Sequence, residues 1–294
     1  HGARSVLVSG ENRGVKAQQR DLIRSCRSIG GIALQKALDH EEQIRQHRLN
    51  EQLAVAREIQ LKLLPETLPQ TERLAIAGLS VPAQFVGGDY FDVIELPCGD
   101  LLAIVADVSG KGPQAAIRMS GLQAITHSLG FQDFGPGEVL GRLNHILGTG
   151  RLAGHFITAC CIRFSEGGRK VTLASAGHDP VIHGRADLEP RLIEEVGGLP
   201  LGLRSDETYE ETRFELEAGH RLLVYTDGMT DARNDDGEFF GEDRLVASLA
   251  AAGDKDAQGF LDGLISELEN YRIDGSWPDD LTALSIYYRP EGNV

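Results

Sequence analysis

Four short segments of the chain each set an aspartate beside a turn residue at one end of an apolar run. They are QFVGGDYFDV (residues 84–93), with Asp89 after two glycines, and LLAIVADVSGKG (residues 101–112), with Asp107. RLLVYTDGMTDA (residues 221–232) carries Asp227 before Gly228, and WPDDLTALSIYY (residues 277–288) carries Asp279 and Asp280 ahead of an apolar stretch. One aspartate next to a glycine is an ordinary turn. Four such segments ending at one place would be a site, because carboxylates brought together repel. Two of them about 4 Å apart cost roughly 4 kcal/mol at an effective dielectric of about 20. Cations between them would remove that cost. An all-oxygen donor set suits Mg²⁺ or Mn²⁺, whereas zinc recruits Cys or His. The glycines after Asp107 let the backbone approach an ion, which makes the Val108 carbonyl a further candidate ligand. The Ser-Gly-Lys-Gly run lacks the spacing of a phosphate-binding P-loop.

The elements that must position these acids are legible from pattern. LLAIVADV, FITACCIRF, VTLASAG, RLLVYTDG and LTALSIYY read as strands. GPQAAIRMSGLQAITHSLG, PGEVLGRLNHIL, EDRLVASLAAA and AQGFLDGLISELEN read as helices. Strands and helices come in groups, which predicts an antiparallel α+β domain over residues 71–290. Ahead of it, residues 39–70 hold strong helix formers up to Pro65, which should end the helix. Leu49, Leu53, Ala56, Ile59 and Leu63 recur near the 3.5-residue period of a helix-pairing seam. The seam can pack on its own domain or pair two chains, and both readings stay open. Residues 1–38 hold a candidate strand at 5–9 and a helical pattern. They read as the tail of a domain whose body is absent.

The remaining candidates carry less. Asp92 has a structural reading. His178 either orders its loop or hands a proton to a leaving group. Cys160 and Cys161 read as packed in a strand, and His145 as structural on a helix. The 294 residues carry a net charge of −15, which disfavours a nucleic-acid partner. None of the four cysteines forms a Cys-x-x-Cys pair, which suits a reducing cytoplasm. No apolar run approaches the roughly 20 residues of a membrane span, and the first residues lack a signal-peptide pattern.

VGGDYFDV, IVADVSGKGPQAA, SAGHDP, GGLPLGL, VYTDGMTDARN and DDLTALSI occur in the order seen in the PPM phosphatases. As a set, over about residues 50–290, they resemble the bacterial SpoIIE/RsbU-type branch of metal-dependent serine/threonine phosphatases. AREIQLKLLPETLP resembles the helical linker of these proteins, and residues 1–38 more faintly resemble the end of a GAF-type sensor domain. The resemblance implies a four-layer α-β-β-α sandwich of two antiparallel sheets flanked by helices, with a long N-terminal helix. It implies two Mn²⁺ or Mg²⁺ ions at one end of the sandwich and attack on phosphorus by hydroxide held between them. It implies that Asp107 bridges the ions beside the Val108 carbonyl, that Asp227 and the Asp279/Asp280 pair complete the site with Asp279 favoured, and that Asp89 serves the second ion. The phosphate-holding arginine of eukaryotic members has no identified counterpart. The implied substrate is a phosphoprotein, a STAS-type anti-sigma-factor antagonist, handled by a homodimer joined through the linker and governed by the sensor. The alternative is a degenerate phosphatase domain acting as a dimeric binding or signalling module.

Overall fold

The computed structural model describes residues 17–129, 132–149, 155–185, 188–272, 275 and 277–290. The chain divides into two compact units, residues 1–54 and 55–294. Helix α1 (Ala17–Leu61) supplies all the described structure of the first unit and the opening turns of the second. It runs unbroken across residue 39. The Gly30–Gly31 pair lies in open space and without proline weakens the helix locally but does not break it. The helix stops at Leu61, four residues short of Pro65. Gln60 and Leu61 carbonyls take the Leu63 and Leu64 N–H groups in a closing turn (2.9 and 3.3 Å), and the residue before a proline is held out of helical geometry. The candidate strand at residues 5–9 lies outside the described residues.

The second unit is built on two five-stranded antiparallel sheets. The first orders β1 (Leu74–Val81), β10 (Leu281–Tyr288), β9 (Arg221–Tyr225), β6 (Val181–Arg185) and β7 (Leu188–Ile193). The second orders β2 (Tyr90–Glu95), β3 (Leu101–Val108), β4 (Ile157–Ser165), β5 (Lys170–Ala176) and β8 (Thr212–Glu215). Helices α2 (Pro113–Leu129) and α3 (Pro136–Thr149) cover the second sheet, and α4 (Gly241–Ala250) and α5 (Ala257–Tyr271) cover the first. The fold is the expected α+β sandwich of two antiparallel sheets between helix layers.

Three apolar clusters fill the three interfaces, and strand alternation assigns residues to them. On β3, Leu101, Ala103 and Val105 face the other sheet, while Leu102, Ile104, Ala106 and Val108 face α2 and α3. Adjacent Cys160 and Cys161 divide the same way, one into each layer. A strand buried on both faces reads as a continuous apolar run, which is why β3, β4, β9 and β10 stand out in the sequence. The same alternation gives Asp107 and Asp89 the parity of the inter-sheet face. Both sit where that apolar layer ends.

Candidate active site

Asp89 immediately precedes β2, Asp107 is the next-to-last residue of β3, Asp227 follows β9 by two residues and Asp279–Asp280 precede β10. The four strand ends come from both sheets, and their acids meet at one end of the sandwich. Burial, then Asp227 and Asp279, push the Asp107 carboxyl up to about 7, while a hydrogen bond from Asp89 acts the other way. Asp89 is held well above the usual carboxylate range by its own burial first and by Asp107 next. Thr226 Oγ donates to Asp89 Oδ2 at 2.7 Å, and Thr226 is itself fixed by the Thr282 N–H (3.0 Å). Asp227 is raised by burial and then by Asp279.

Asp279 and Asp280 diverge. Asp280 is buried and accepts from the Ala83 N–H (2.8 Å) and the Gly88 N–H (2.6 Å), one on each oxygen. Asp279 Oδ2 pairs with Lys111 Nζ at 2.7 Å, and its Oδ1 accepts the Asp280 N–H at 2.9 Å. The glycines permit this crowding. A Cβ on Gly228 would stand 2.0 Å from the Asp280 carbonyl, and one on Gly88 would stand 2.8 Å from the Val108 carbonyl. The Val108 carbonyl therefore lies against the Gly88–Asp89 segment.

Asp92 points the other way, as strand alternation requires. It shares the parity of Tyr90, faces α2, and is tied to Tyr90 Oη (2.9 Å), His127 Nε2 (2.6 Å) and the Val93 N–H (2.7 Å). His178 stands behind the site. Its Nδ1 is 3.0 Å from Thr158 Oγ, Thr158 pairs with Asp107 across the ladder, and burial pushes the ring down to about 4. A neutral, buried ring suits the loop-ordering reading. Burial raises both Cys160, to about 12, and Cys161, so both are inert packing residues. His145 lies exposed on α3.

Three residues escaped the sequence reading. Gln60, buried at the end of α1, clamps the Gly87 backbone with both amide atoms (Nε2 to the carbonyl, 2.6 Å; N–H to Oε1, 3.1 Å). Lys111 reaches Asp279 from the Ser-Gly-Lys-Gly turn. Asp179, pushed up to about 6 by burial and then by Asp227, Glu242 and Asp231, extends the acid field on one side. Gln60 and Asp179 gave no signal, because neither spacing nor residue type distinguishes them locally.

The donor chemistry fits hard divalent cations, being carboxylates that are desolvated and raise one another. Among the described residues, however, no three His, Cys, Asp or Glu side chains stand ready-grouped to hold an ion. Asp280 is committed to backbone and Asp279 to a lysine.

Residues 97–289 match the family described as "Stage II sporulation protein E (SpoIIE)". Over 192 residues the chain is 32% identical to the phosphoserine phosphatase RsbU of Bacillus subtilis (strain 168), covering 65% of this chain and 57% of that one. The chain spans about half the length of the curated relatives it matches, with 57% of RsbU and 41% of the Synechocystis protein IcfG covered. Among solved structures, the SiaA-PP2C domain of Pseudomonas aeruginosa superposes with a TM-score of 0.72 at 23% identity, covering 84% of this chain and 98% of that one. RsbX, solved in complex with magnesium, gives 0.56 at 17% identity over 76% of this chain and 98% of its own. These structural likenesses show the PP2C-like fold.

Proposed function

The chain belongs to the SpoIIE family, and on that footing we propose that it is a metal-dependent protein phosphatase acting on phosphoserine or phosphothreonine. The observation that carries this is the meeting of four strand ends whose carboxylates Asp89, Asp107 and Asp227 are raised by burial first and by neighbouring acids next. Such a cluster is costly unless it serves a cation. Asp107, Asp227, Asp279 and the Val108 carbonyl would hold Mn²⁺ or Mg²⁺, with Asp89 serving a second ion. Asp280 shapes the loop that carries Asp89. Bound, these ions supply an activated water and neutralise charge on the phosphoryl oxygens. The protein's own part is to hold the carboxylates on rigid strand ends, exclude water behind them with the inter-sheet core, and keep Asp89 oriented through Thr226.

The substrate we assign is a phosphoprotein of the STAS anti-sigma-factor-antagonist type, met in the cytoplasm. Support comes from the resemblance of RsbU, named a phosphoserine phosphatase, and from the absence among the described residues of any helix long and apolar enough to cross a membrane. Residues 1–38 as a GAF-like sensor tail and residues 39–70 as a dimerising linker complete the reading as a regulated homodimer.

Hydrolysis of p-nitrophenyl phosphate and of a phosphoserine protein, with and without Mn²⁺, tests the activity. Turnover is expected with Mn²⁺, lost in excess EDTA, and lost in Asp107→Asn and Asp227→Asn. Full activity in EDTA would sink the proposal. One observation favours a second reading, a phosphatase fold that only binds partners: among the described residues no ligand set stands ready-grouped. Absence of turnover at any Mn²⁺ concentration would select it.

A further inference from the structure

We infer that Lys111 is the site's own counter-ion: it holds Asp279 in the metal-free protein and must release it before a divalent cation can bind there. The inference rests on the metal-site reading above and adds a residue to it.

Lys111 sits four residues after Asp107, on a turn framed by Gly110 (φ 101°) and Gly112 (φ 72°). Its ammonium is anchored rather than loose. It lies 2.7 Å from Asp279 Oδ2 and donates to the Pro278 carbonyl at 2.7 Å, using two of its three N–H groups.

The placement commits Asp279 just as other contacts commit its neighbours. Asp280 has both oxygens on backbone N–H groups, and Asp89 is fixed by Thr226. Asp279 has one oxygen on the Asp280 N–H and the other on the lysine. A divalent ion brings twice the charge and takes several oxygens at once, so it can displace the ammonium. The exchange is nevertheless opposed by whatever the Lys111–Asp279 pair contributes. By linkage, a contact present only without metal weakens metal binding by its own equilibrium constant. Lys111 is thus a positioning residue acting through Asp279. It offsets part of the repulsion in the apo cluster and raises the cation concentration at which the site fills.

Calorimetric titration of the full chain with MnCl₂ tests this. Lys111→Met is expected to bind Mn²⁺ about two- to fivefold more tightly than wild type, the range open to a half-exposed ion pair. Its metal-free melting temperature should be lower. Lys111→Arg, which keeps the charge, should bind like wild type, and Lys111→Gln provides a second neutral variant should Lys111→Met fail to fold. The gain must also vanish when Lys111→Met is placed on Asp279→Asn, since the effect runs through that carboxylate. Equal or weaker binding by both neutral variants overturns the inference. So does a gain that persists on Asp279→Asn, which would report a long-range field and not an exchange. A wild-type chain that takes up no Mn²⁺ overturns the metal-site reading and this inference together, whereas wild-type binding without a gain overturns only the role of Lys111.

Discussion

Asp280 gives both of its oxygens to the Ala83 and Gly88 N–H groups, at 2.8 and 2.6 Å, while its neighbour Asp279 faces Lys111. Two charge-assisted hydrogen bonds in a buried setting contribute more to folding than one half-exposed ion pair. Asp280→Ala should therefore lower stability by about 2–3 kcal/mol in urea unfolding, leaving two backbone donors unpaired. Asp279→Ala should stay within about 1 kcal/mol of wild type and yet lose Mn²⁺ binding. Equal stability losses would show that the two carboxylates are interchangeable. Asp107 makes a pH prediction. Its folded value of about 7 lies above the ordinary 3.8, so the folded chain holds a proton that the unfolded chain has released. Its contribution to the stability of the metal-free protein is present below about pH 4 and is lost as pH rises through about 7. The stability of Asp107→Asn relative to wild type should grow across that window and level off above it. A flat difference between the two unfolding curves would contradict the burial and repulsion at this site.

At the scale of elements, β2 carries opposite duties on its two faces. Asp89, with Phe91 and Val93, belongs to the inter-sheet face, while Tyr90 and Asp92 lock the strand to α2 through His127. The loop ahead of β2 is held by Gln60, at the end of α1. Gln60→Ala should cost about 1–2 kcal/mol, because it leaves the Gly87 N–H and carbonyl without partners. It should also weaken Mn²⁺ binding by freeing the Asp89 loop. Calorimetry giving wild-type affinity would confine the clamp to stability. The central strands were legible because both their faces are buried. The strand β1, LAIAGLSV, was not, since Ala and Gly are poor strand formers in isolation. Gly78 is required there because a Cβ would strike the Phe91 ring at 2.4 Å. The hairpin of β6 and β7 was missed for a related reason. Gly184 interrupts β6 at an irregularity between His183 and Arg185, and Pro190 interrupts β7, which tolerates it as the edge strand.

For the molecule as a whole, the proposed pairing stripe bears on whether the chain acts singly or in pairs. Leu49, Ala56 and Ile59 are exposed along α1 and Leu53 is partly so, while Leu63, also partly exposed, lies two residues past the helix. If this stripe pairs two chains, light scattering should give a mass of two chains for wild type and one for the double variant Leu53→Glu, Leu63→Glu. Phosphatase rate should change along with the mass. A wild-type mass of one chain at high concentration removes the dimer, and an unchanged rate removes its regulatory role. The sequence by itself determined the strands buried on both faces, the helices that flank them, and the acids at their ends. Those features follow from local periodicity and from residue types that few other chemistries need. Tertiary structure alone decided which acids do which work. Asp279 and Asp280 are indistinguishable neighbours in the chain, and only the approach of Gly88, nearly two hundred residues away, gives one of them to the backbone. The same folding turned an unremarkable lysine into a counter-ion and a helix-end glutamine into a clamp, because the field of several buried carboxylates exists only once four distant strand ends are brought together.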